Sequence, residues 1–312
     1  MSFIARENNQ TIAVVPLMIE GNNHESGPGN ELLYGGGPVP APLFDSRMNE
    51  KKTNKVRKEI FNRIDEIAVS CGVSRSHFRY YDTFSNYANR YLSYNVFMKY
   101  GYNDVSLNTQ IIEFKSSEKE LFKNCSKGCR YEIKKSMKYL SLRLYDSSNI
   151  APNIYADFVK FYFAVAGKET RPMESFDILY QMIIDGQAIL FFAYHEGNIV
   201  GVQYNLVFKR GAYYFASAVN REFDLCSVGH YLQWNTLQYL LRHSYAYFEL
   251  GIQEYHDTTH SFPSVKDKNI SLFKRSFGGL TVPLFSGEKF YSKAVFEDVM
   301  LKRIHDYAKN NF

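Results

Sequence analysis

The most informative candidate for chemistry is a lysine near the end of the chain, Lys274. It lies between Phe273 and the segment Phe277-Gly278-Gly279, whose glycines indicate a turn. A lysine held between an aromatic ring and a turn can stabilise developing negative charge or bind a phosphate. The alternative is an ordinary solvated lysine beside a core aromatic ring. Lys274 and Phe273 are therefore the first residues that we expect in a catalytic site.

Three further residues are candidates for contact with a substrate. Arg171 precedes Pro172 at a predicted helix start, where main-chain N–H groups favour anions, although a surface arginine fits this position equally well. Tyr213 and Tyr214 follow one another on a predicted strand, so their side chains point to opposite faces of the sheet. One of the two can line a cleft, and simple packing is the slightly favoured alternative.

Basic side chains recur at intervals of three and four residues along the predicted helix Ser117–Leu140. They are Lys119, Lys123, Lys127, Arg130, Lys134 and Lys138. On a helix this spacing places them on one face, and such a stripe can bind a phosphate backbone or a nucleotide head group. We take Lys127, Arg130 and Lys134 as its candidate binding residues. A solvated helix face is the more common explanation of such a pattern.

The remaining polar candidates give weaker signals. Gly229 begins a predicted helix after a strand and a loop, a junction where main-chain N–H groups can bind a phosphate. Glu249 and Asp224 are candidate bases, although we expect Glu249 to face neighbouring strands. His256 and His260 are four residues apart in a polar loop, without an evident third ligand, so no metal site is predicted. The sequence has no P-loop, GxGxxG, GxSxG or HExxH signature.

The composition is that of a folded protein with a large core. Of the 312 residues, 45% are hydrophobic and 16% aromatic, which excludes a disordered or low-complexity chain. The net charge of +5 permits an acidic ligand without requiring one. The four cysteines have no CxxC spacing, which favours a reducing compartment. Because no signal peptide and no apolar stretch of bilayer length is visible, we expect a cytoplasmic protein without a membrane span.

Hydrophobic periodicity and turn residues predict the elements that position these candidates. In the first half we expect a hairpin formed by residues 3–6 and 11–19, a helix over Glu50–Cys71, and strands near His77–Asp82 and Thr109–Phe114. The tyrosine-rich stretch Tyr87–Tyr102 receives no assignment. The helix Ser117–Leu140 then begins with Ser117 and Glu120 as a capping box.

The second half has a clearer pattern. A strand at Leu142–Tyr145 and two helices precede three strands joined by tight turns, which predicts an antiparallel meander over residues 188–218. A helix from Gly229 to His243, a strand at Tyr247–Gly251, a helix near Lys268–Phe277 and a strand at Leu280–Phe285 follow. A final helix is expected over Ala294–Asn310. This order of elements is that of a GNAT domain, and the first half repeats part of it.

Five local patterns together resemble the FemABX family of the GNAT superfamily. They are the basic segment 126–136, Arg171 between two helices, the strand segment 212–217, the helix start 229–234 followed by 248–251, and 272–279, which resembles an FK…FGG segment. The similarity runs from Ile111 to Gly279, and Thr11–Leu17 resembles a strand of the family's first domain. No single motif is diagnostic; the order and spacing of the patterns carry the resemblance.

The resemblance implies an α/β (α+β) fold of two tandem GNAT-like domains, each a mixed, mostly antiparallel twisted sheet flanked by helices. The expected halves are residues 1–115, joined by 280–312 and lacking the family's first helices, and residues 116–279. It also implies a functional lysine at Lys274 and attack by an amine on an aminoacyl ester or a thioester. Aminoacyl-tRNA or acyl-CoA is then a co-substrate, and no tightly bound cofactor is expected.

Three functions are compatible with the sequence. The leading one is aminoacyl or acyl transfer to an amine of a cell-wall precursor, amino sugar or peptide-like metabolite, with tRNA as a partner. The second is an acyl-CoA- or acyl-carrier-dependent N-acyltransferase; the absence of the glycine-rich R/Q-x-x-G-x-G/A pattern around Gly229 argues mildly against CoA. The third is a non-catalytic binding module. The sequence leaves the donor, the acceptor, the general base and the oligomeric state open.

Overall fold

The structure is a computed structural model that describes residues 1–24, 27–81, 94–169 and 171–312. Its strands are β1 (Phe3–Glu7), β2 (Gln10–Val15), β3 (Ile19–His24), β4 (Gly27–Leu32), β5 (Val39–Pro40), β6 (Leu43–Phe44), β7 (Val73–Arg79), β8 (Asn103–Asp104), β9 (Leu107–Glu113), β10 (Ser141–Tyr145), β11 (Ala188–His195), β12 (Asn198–Phe208), β13 (Gly211–Val219), β14 (Tyr247–Gln253), β15 (Leu280–Leu284) and β16 (Ser286–Phe290). Its helices are α1 (Glu50–Ser70), α2 (Glu118–Asn124), α3 (Lys127–Ser136), α4 (Pro152–Ala166), α5 (Met173–Ile184), α6 (Val228–Arg242), α7 (Val265–Arg275) and α8 (Lys293–Asn311), with a short 3-10 helix at Val96–Tyr100.

The chain forms two compact units. The first unit comprises Met1–Asn108, Glu254–Lys268 and Pro283–Phe312, and the second comprises Thr109–Gln253 and Asn269–Val282. The predicted halves, 1–115 with 280–312 and 116–279, differ from these units mainly in Glu254–Lys268, which belongs to the first unit. Among the described residues, no helix combines the length and the apolar character that crossing a bilayer requires.

The first unit is built on a sheet of order β3-β4-β7-β16-β8, with a smaller sheet β1-β2-β6. Helix α1 packs on it through residues spaced by three and four, including Ile60, Ile64 and Ile67. Asn49 caps the helix by accepting the Lys52 N–H, and Gly72 ends it with φ +62°. The helix predicted over Glu50–Cys71 is therefore confirmed. Strand β16 was not predicted, because its polar sequence Ser-Gly-Glu-Lys-Phe lacks a hydrophobic alternation.

Strand β7 of the first unit has parallel partners along most of its length. Strand β4 pairs with it over residues 30–32, and β5 then pairs with it at Phe78 and Arg79. The short strand β5 therefore occupies the position beside β7 that β4 leaves. Strand β7 therefore keeps a parallel neighbour beyond the end of its pairing with β4, and no gap opens beside it.

The second unit has a sheet of order β10-β11-β12-β13-β14-β9-β15, in which β11, β12 and β13 form the predicted meander. A hydrophobic core lies on each face. One includes residues of α3 and α6, and the other includes residues of α4 and α5. Apolar residues on both faces explain why β11 is a continuous run of buried residues rather than an alternating one.

Strands β13 and β14 are parallel neighbours that pair only at their starts. The register joins Gly211 to Tyr247 and ends with Tyr213 opposite Glu249, although β13 continues to Val219 and β14 to Gln253. In addition, Asn205 of β12 faces Tyr214 while Tyr204 faces Ala216, so Phe215 is an extra residue in β13. The bulge at Phe215 thus lies just beyond the point where β13 and β14 stop pairing.

The continuous helix predicted over Ser117–Leu140 is wrong. The chain is extended at Cys125 (φ −65°, ψ 146°), and Ser126 starts a second helix by accepting the Cys129 N–H. A serine side chain that bonds the main chain in this way favours a helix start over a helix interior. The six basic residues are therefore divided between α2, α3 and the turn after α3. Residues 82–93, which include the first part (87–93) of the unassigned tyrosine-rich stretch, lie outside the described residues.

Candidate functional site

Lys274 and Tyr213 meet at Gly251 in the second unit. A Cβ atom added to Gly251 would lie 3.4 Å from Lys274 Nζ and 3.4 Å from Tyr213 Oη. Lys274 comes from the last turn of α7, Tyr213 from the last paired position of β13, and Gly251 from the part of β14 beyond the pairing. The structure therefore brings two candidate residues, Lys274 and Tyr213, together where the parallel strands separate.

The main chain around Gly251 holds Lys274 in this position. Gly251 has φ +82°, a conformation that other residues adopt only with strain. Lys274 Nζ donates a hydrogen bond to the Ile252 carbonyl (3.2 Å), and Arg275 Nη1 donates to Gln253 Oε1 (3.1 Å). Two consecutive basic residues of α7 are thus bonded to the end of β14. A half-buried ammonium fixed in this way can interact with negative charge that develops beside it.

Glu249 is a buried carboxylate on the same strand. Its side chain is 4% exposed, and Thr109 Oγ1 donates a hydrogen bond of 2.7 Å to its Oε1. Glu249 lies opposite Tyr213 in the last pair of β13 and β14. A buried carboxylate next to the separation of the strands is a candidate base, whereas Asp224, the other candidate, is exposed in the loop before α6.

Gly229 and Phe273 form a second pair of candidates at the start of α6. A Cβ atom on Gly229 would lie 3.5 Å from the Phe273 ring, an ordinary van der Waals distance, so α6 and α7 pack side by side here. Phe273 also packs edge-on against His230, with ring centroids 5.0 Å apart. Ser227 Oγ is hydrogen-bonded to His230 Nδ1 (2.6 Å), and within the described residues it makes no capping bond to α6. The first N–H groups of α6 are therefore not capped by that side chain.

Tyr214 and Arg171 are placed on opposite faces of the second sheet. Tyr214 packs with the core of α3 and α6, its hydroxyl is hydrogen-bonded to Ser217, and burial raises its pKa. Arg171 lies on the other face, where its guanidinium is 5.1 Å from the Phe215 ring centroid and 5.7 Å from that of Phe176. Arg171 therefore contacts the bulge of β13, and Tyr214 is better explained by packing.

The basic residues of α3 do not share one role. Arg130 Nη1 donates hydrogen bonds to the Lys123 carbonyl (2.9 Å) and the Cys125 carbonyl, which closes the turn between α2 and α3. Lys134 lies over the Phe122 ring at 5.6 Å, and Lys127 is exposed in the first turn. Arg130 thus has a structural function in this conformation, because its guanidinium satisfies carbonyls at the end of α2.

The two loop histidines are in the first unit. His260 Nε2 is 3.2 Å from the Ser106 carbonyl, and His256 is in a turn region before it. In the part of the chain that the structure describes, no group of three or more His, Cys, Asp or Glu side chains is arranged to hold a metal ion.

Sequence reasoning missed Gly251, Thr109 and the bulge at Phe215. A glycine inside the strand-like segment Phe248-Glu249-Leu250-Gly251 is a signal of close approach that could have identified Gly251. Thr109 and Phe215 carry no comparable signal, because a buried hydrogen bond and a bulge depend on neighbouring strands that are distant in sequence.

Comparison with known proteins supports the resemblance described above. Residues 123–257, less than half of the chain, match the acetyltransferase (GNAT) domain family. No curated protein matches the chain significantly.

Several solved structures are similar in fold. The crystal structure of FemX superposes with a TM-score of 0.63 at 12% identity, covering 95% of this chain and 89% of that one. L-PGS from Bacillus licheniformis gives 0.56 at 12% identity, with coverages of 92% and 88%. A tandem GNAT protein from the clavulanic acid biosynthesis pathway gives 0.50 at 13% identity, with 93% and 82%. The chain therefore has the tandem GNAT-like fold of FemABX-like proteins, and its residues 123–257 match the GNAT acetyltransferase domain family.

Proposed function

We propose that the second unit binds an acyl donor where β13 and β14 separate and transfers the acyl group to an amine. The observation that carries the proposal is the early end of pairing at Tyr213 and Glu249, with Lys274 and Gly251 beside it. Parallel strands that diverge inside a sheet leave main-chain groups available to a ligand. The GNAT acetyltransferase match over residues 123–257 supports acyl transfer as the reaction.

The start of α6 is the proposed contact for an anionic part of the donor. Helix α6 is the next element after β13, and its first N–H groups carry the positive end of the helix dipole. Gly229 presents main chain rather than a side chain in the first turn, and the Phe273 ring lies 3.5 Å from the position that a Cβ atom would occupy there. Phosphates commonly bind at such helix starts. A phosphate of either tRNA or CoA satisfies this chemistry.

The proposed reaction requires three events at the end of the paired strands. The amine nitrogen attacks the carbonyl carbon, a C–N bond forms, and the bond from that carbon to the donor's oxygen or sulfur breaks. The proton lost by the amine leaves with the alcohol or thiol of the donor. Lys274 stabilises the oxyanion or the departing group, and Glu249 is the candidate base because it is the carboxylate on β14 opposite Tyr213.

The pairing in the first unit supports placing the donor site in the second unit. In the sheet of the first unit, β5 pairs with β7 at Phe78 and Arg79. No gap like the one between β13 and β14 therefore opens beside β7. We therefore propose one donor site per chain. Arg171, which contacts the bulge residue Phe215 from the face of α4 and α5, is the proposed contact for the acceptor.

Aminoacyl-tRNA is the leading proposed donor, and acyl-CoA is the alternative. The likeness to FemX and to L-PGS favours the first, since the FemABX resemblance implies aminoacyl transfer. The acetyltransferase family match favours the second. In the first case Lys127 and Lys134 are proposed phosphate contacts, and the acceptor is an amine of a cell-wall precursor, amino sugar or peptide-like metabolite.

Donor binding tests the proposal directly. Purified full chain is compared for binding of charged tRNA, uncharged tRNA, acetyl-CoA and longer acyl-CoAs in a filter or calorimetric assay. Preference for charged over uncharged tRNA supports the aminoacyl reading, and binding of CoA thioesters alone supports the alternative. Lys274→Met should then reduce transfer by 10²-fold or more while Lys274→Arg retains part of it, as expected for loss of about 3 kcal/mol of charge stabilisation. Unchanged transfer in Lys274→Met, or no binding of any donor, would favour a non-catalytic binding module.

A further inference from the structure

An exposed tyrosine lies at the centre of a group of lysines on α3. Tyr131 is 63% exposed. Its neighbours at spacings of four, three and four residues are Lys127, Lys134 and Lys135, of which the last is half-buried and the others are exposed. Side chains at these spacings lie side by side on one face of a helix, and the buried residues of α3 lie on the other side. We call these four residues the lysine face.

The charges of the lysine face are not neutralised by the protein. In the part of the chain that the structure describes, none of its three lysines forms an ion pair. The one acidic residue of α3, Glu132, lies about 100° around the helix from Tyr131. Lys127 is in the first turn, where the helix dipole disfavours a cation. The positive charge is therefore available to an anionic ligand.

The ring of Tyr131 is also uncovered. Among the described residues, no Lys or Arg side chain lies over it. Other exposed rings of this protein do have such a partner: Lys209 lies over Phe208 at 5.3 Å, and Lys99 lies over Tyr94 at 4.9 Å. Tyr131 thus presents an aromatic plane on which another planar group can stack.

The lysine face begins close to the proposed reaction site. Ser126, the residue before Lys127, donates its main-chain N–H to the Ser276 carbonyl at 2.8 Å. Ser276 is two residues beyond Lys274. From this end of α3 the lysine face points to solvent and extends for about 12 Å, at 1.5 Å per residue. A strand that reaches Lys274 past the start of α3 therefore meets Lys127 first.

We propose that the lysine face binds the unpaired 3′ end of an RNA donor, an inference that rests on aminoacyl-tRNA as the donor in the proposed function. The lysines contact phosphates, and one base stacks on Tyr131. Cations beside an exposed aromatic ring suit single-stranded nucleic acid, because its phosphates and free base planes alternate along the strand. A paired stem is a poorer occupant, since its bases already stack on one another. The nucleotide of CoA fits less well, because it has one base and its phosphates are grouped around one sugar.

Binding of labelled RNA hairpins to the full chain tests the proposal. One hairpin ends in an unpaired 3′ strand, and the other has the same stem with a blunt end. We expect tighter binding of the hairpin with the unpaired end, measured by fluorescence anisotropy at several salt concentrations.

Variants of Tyr131 test the stacking. Tyr131→Ala should weaken binding of the hairpin with the unpaired end by about fivefold or more, whereas Tyr131→Phe, which keeps the ring, should stay within about twofold of the wild type. Tyr34→Ala is the control, because Tyr34 of the first unit is equally exposed, at 63%. Tyr131→Leu replaces the alanine variant if a lower urea midpoint shows that the latter folds poorly.

The lysine variants test the phosphate contacts. For single strands, the logarithm of the binding constant falls with the logarithm of salt concentration, with a slope of about −0.7 per contacted phosphate. Lys127→Met and Lys135→Met should each make the slope shallower by about 0.7. Lys119→Met is the control and should leave the slope unchanged, because Lys119 is on α2 between Glu118 and Glu120.

Several outcomes would overturn the proposal. Equal binding of the two hairpins, or equal losses from Tyr131→Ala and Tyr34→Ala, would exclude stacking of an unpaired base on Tyr131. An equal loss of acetyl-CoA binding in Tyr131→Ala would assign the lysine face to the nucleotide of CoA. Binding of the wild type to phosphatidylglycerol vesicles and to neither hairpin would assign it to an anionic lipid surface.

Failure of the lysine face and failure of the proposed function give different results. If neither hairpin binds while charged tRNA still binds better than uncharged tRNA, the lysine face is refuted and the proposed function stands. If acyl-CoA is the only donor that binds, the lysine face and aminoacyl-tRNA as the donor are both refuted, and acyl transfer from CoA remains.

Discussion

Tyr213 and Glu249 form the last pair between β13 and β14, and beyond them the two parallel strands part. Gly251 and the bulge residue Phe215 lie within a few residues of this pair on the same two strands. Lys274 lies beside Gly251. The arrangement explains why residues from a strand, a second strand and a helix meet at one place. The expectations for Gly251 and Thr109 depend on that relationship.

Gly251→Ala should reduce transfer activity much more than Gly72→Ala does, although both substitutions should lower the free energy of unfolding by a similar amount. The positive φ of +82° makes alanine strained by about 1–2 kcal/mol, and the new Cβ enters the space between Lys274 Nζ and Tyr213 Oη at 3.4 Å from each. Gly72→Ala is a matched control, since it has φ +62° and no atom within 4 Å of the added carbon. Urea unfolding and turnover are measured for both; equal losses of turnover would argue against a site at Gly251.

Thr109→Val should destabilise the protein by about 1–3 kcal/mol with little change in side-chain volume. The substitution removes the hydroxyl that donates to Glu249 Oε1 at 2.7 Å, and a buried carboxylate that loses a donor is costly. Thr109→Ser keeps the hydroxyl and should retain most of the stability. The free energy of unfolding is obtained from urea titrations; a Thr109→Val variant as stable as the wild type would show that this hydrogen bond has no net effect.

Arg130→Met should lower the free energy of unfolding by about 1–2 kcal/mol, because the guanidinium satisfies the Lys123 and Cys125 carbonyls between α2 and α3. Lys127→Met, at an exposed position of the same helix, should change stability by less than about 0.5 kcal/mol. Chemical denaturation of both variants checks the difference. If a phosphate ligand is instead the main partner of Arg130, Arg130→Met would weaken ligand binding more than Lys127→Met does, and the two variants would be equally stable.

His77 should make the protein sensitive to mild acid. Burial, followed by the nearby charges of Arg79, Arg75, Arg303 and His260, lowers the pKa of His77 to about 3. The unfolded chain protonates this residue below about pH 6.5, whereas the folded protein does not, so stability is lost as pH falls from about 6.5 towards 3. At pH 5 the expected loss from this group is about 2 kcal/mol relative to pH 7.

The test of the His77 effect compares the wild type with His77→Asn, which cannot take up a proton. Unfolding by urea at pH 7 and pH 5 should show a smaller pH-dependent loss in the variant. The carboxylates that also titrate in this range affect both proteins equally. The same loss in both proteins would assign the acid sensitivity to other groups.

Much of the second unit could be predicted from the sequence because its signals are local. The tight turns between β11, β12 and β13 depend on neighbouring residues only. The same holds in the first unit for the glycine after α1. The order of elements and the FK…FGG segment also led to the GNAT fold and to Lys274 as a candidate. These properties follow from periodicity and turn chemistry, which a single chain displays directly.

The contacts at the site were decided by the tertiary structure. Lys274 and Tyr213 are distant in sequence, and their meeting at Gly251 requires the register of β13 with β14 and the last turn of α7. The prediction of one basic stripe was wrong for the same reason. Ser126 begins a new helix, and Arg130 donates to main-chain carbonyls. The sequence by itself thus determined which elements form, because hydrophobic spacing and caps are local. Only the fold decided which side chains meet, because strand register and buried hydrogen bonds join residues that no local pattern connects.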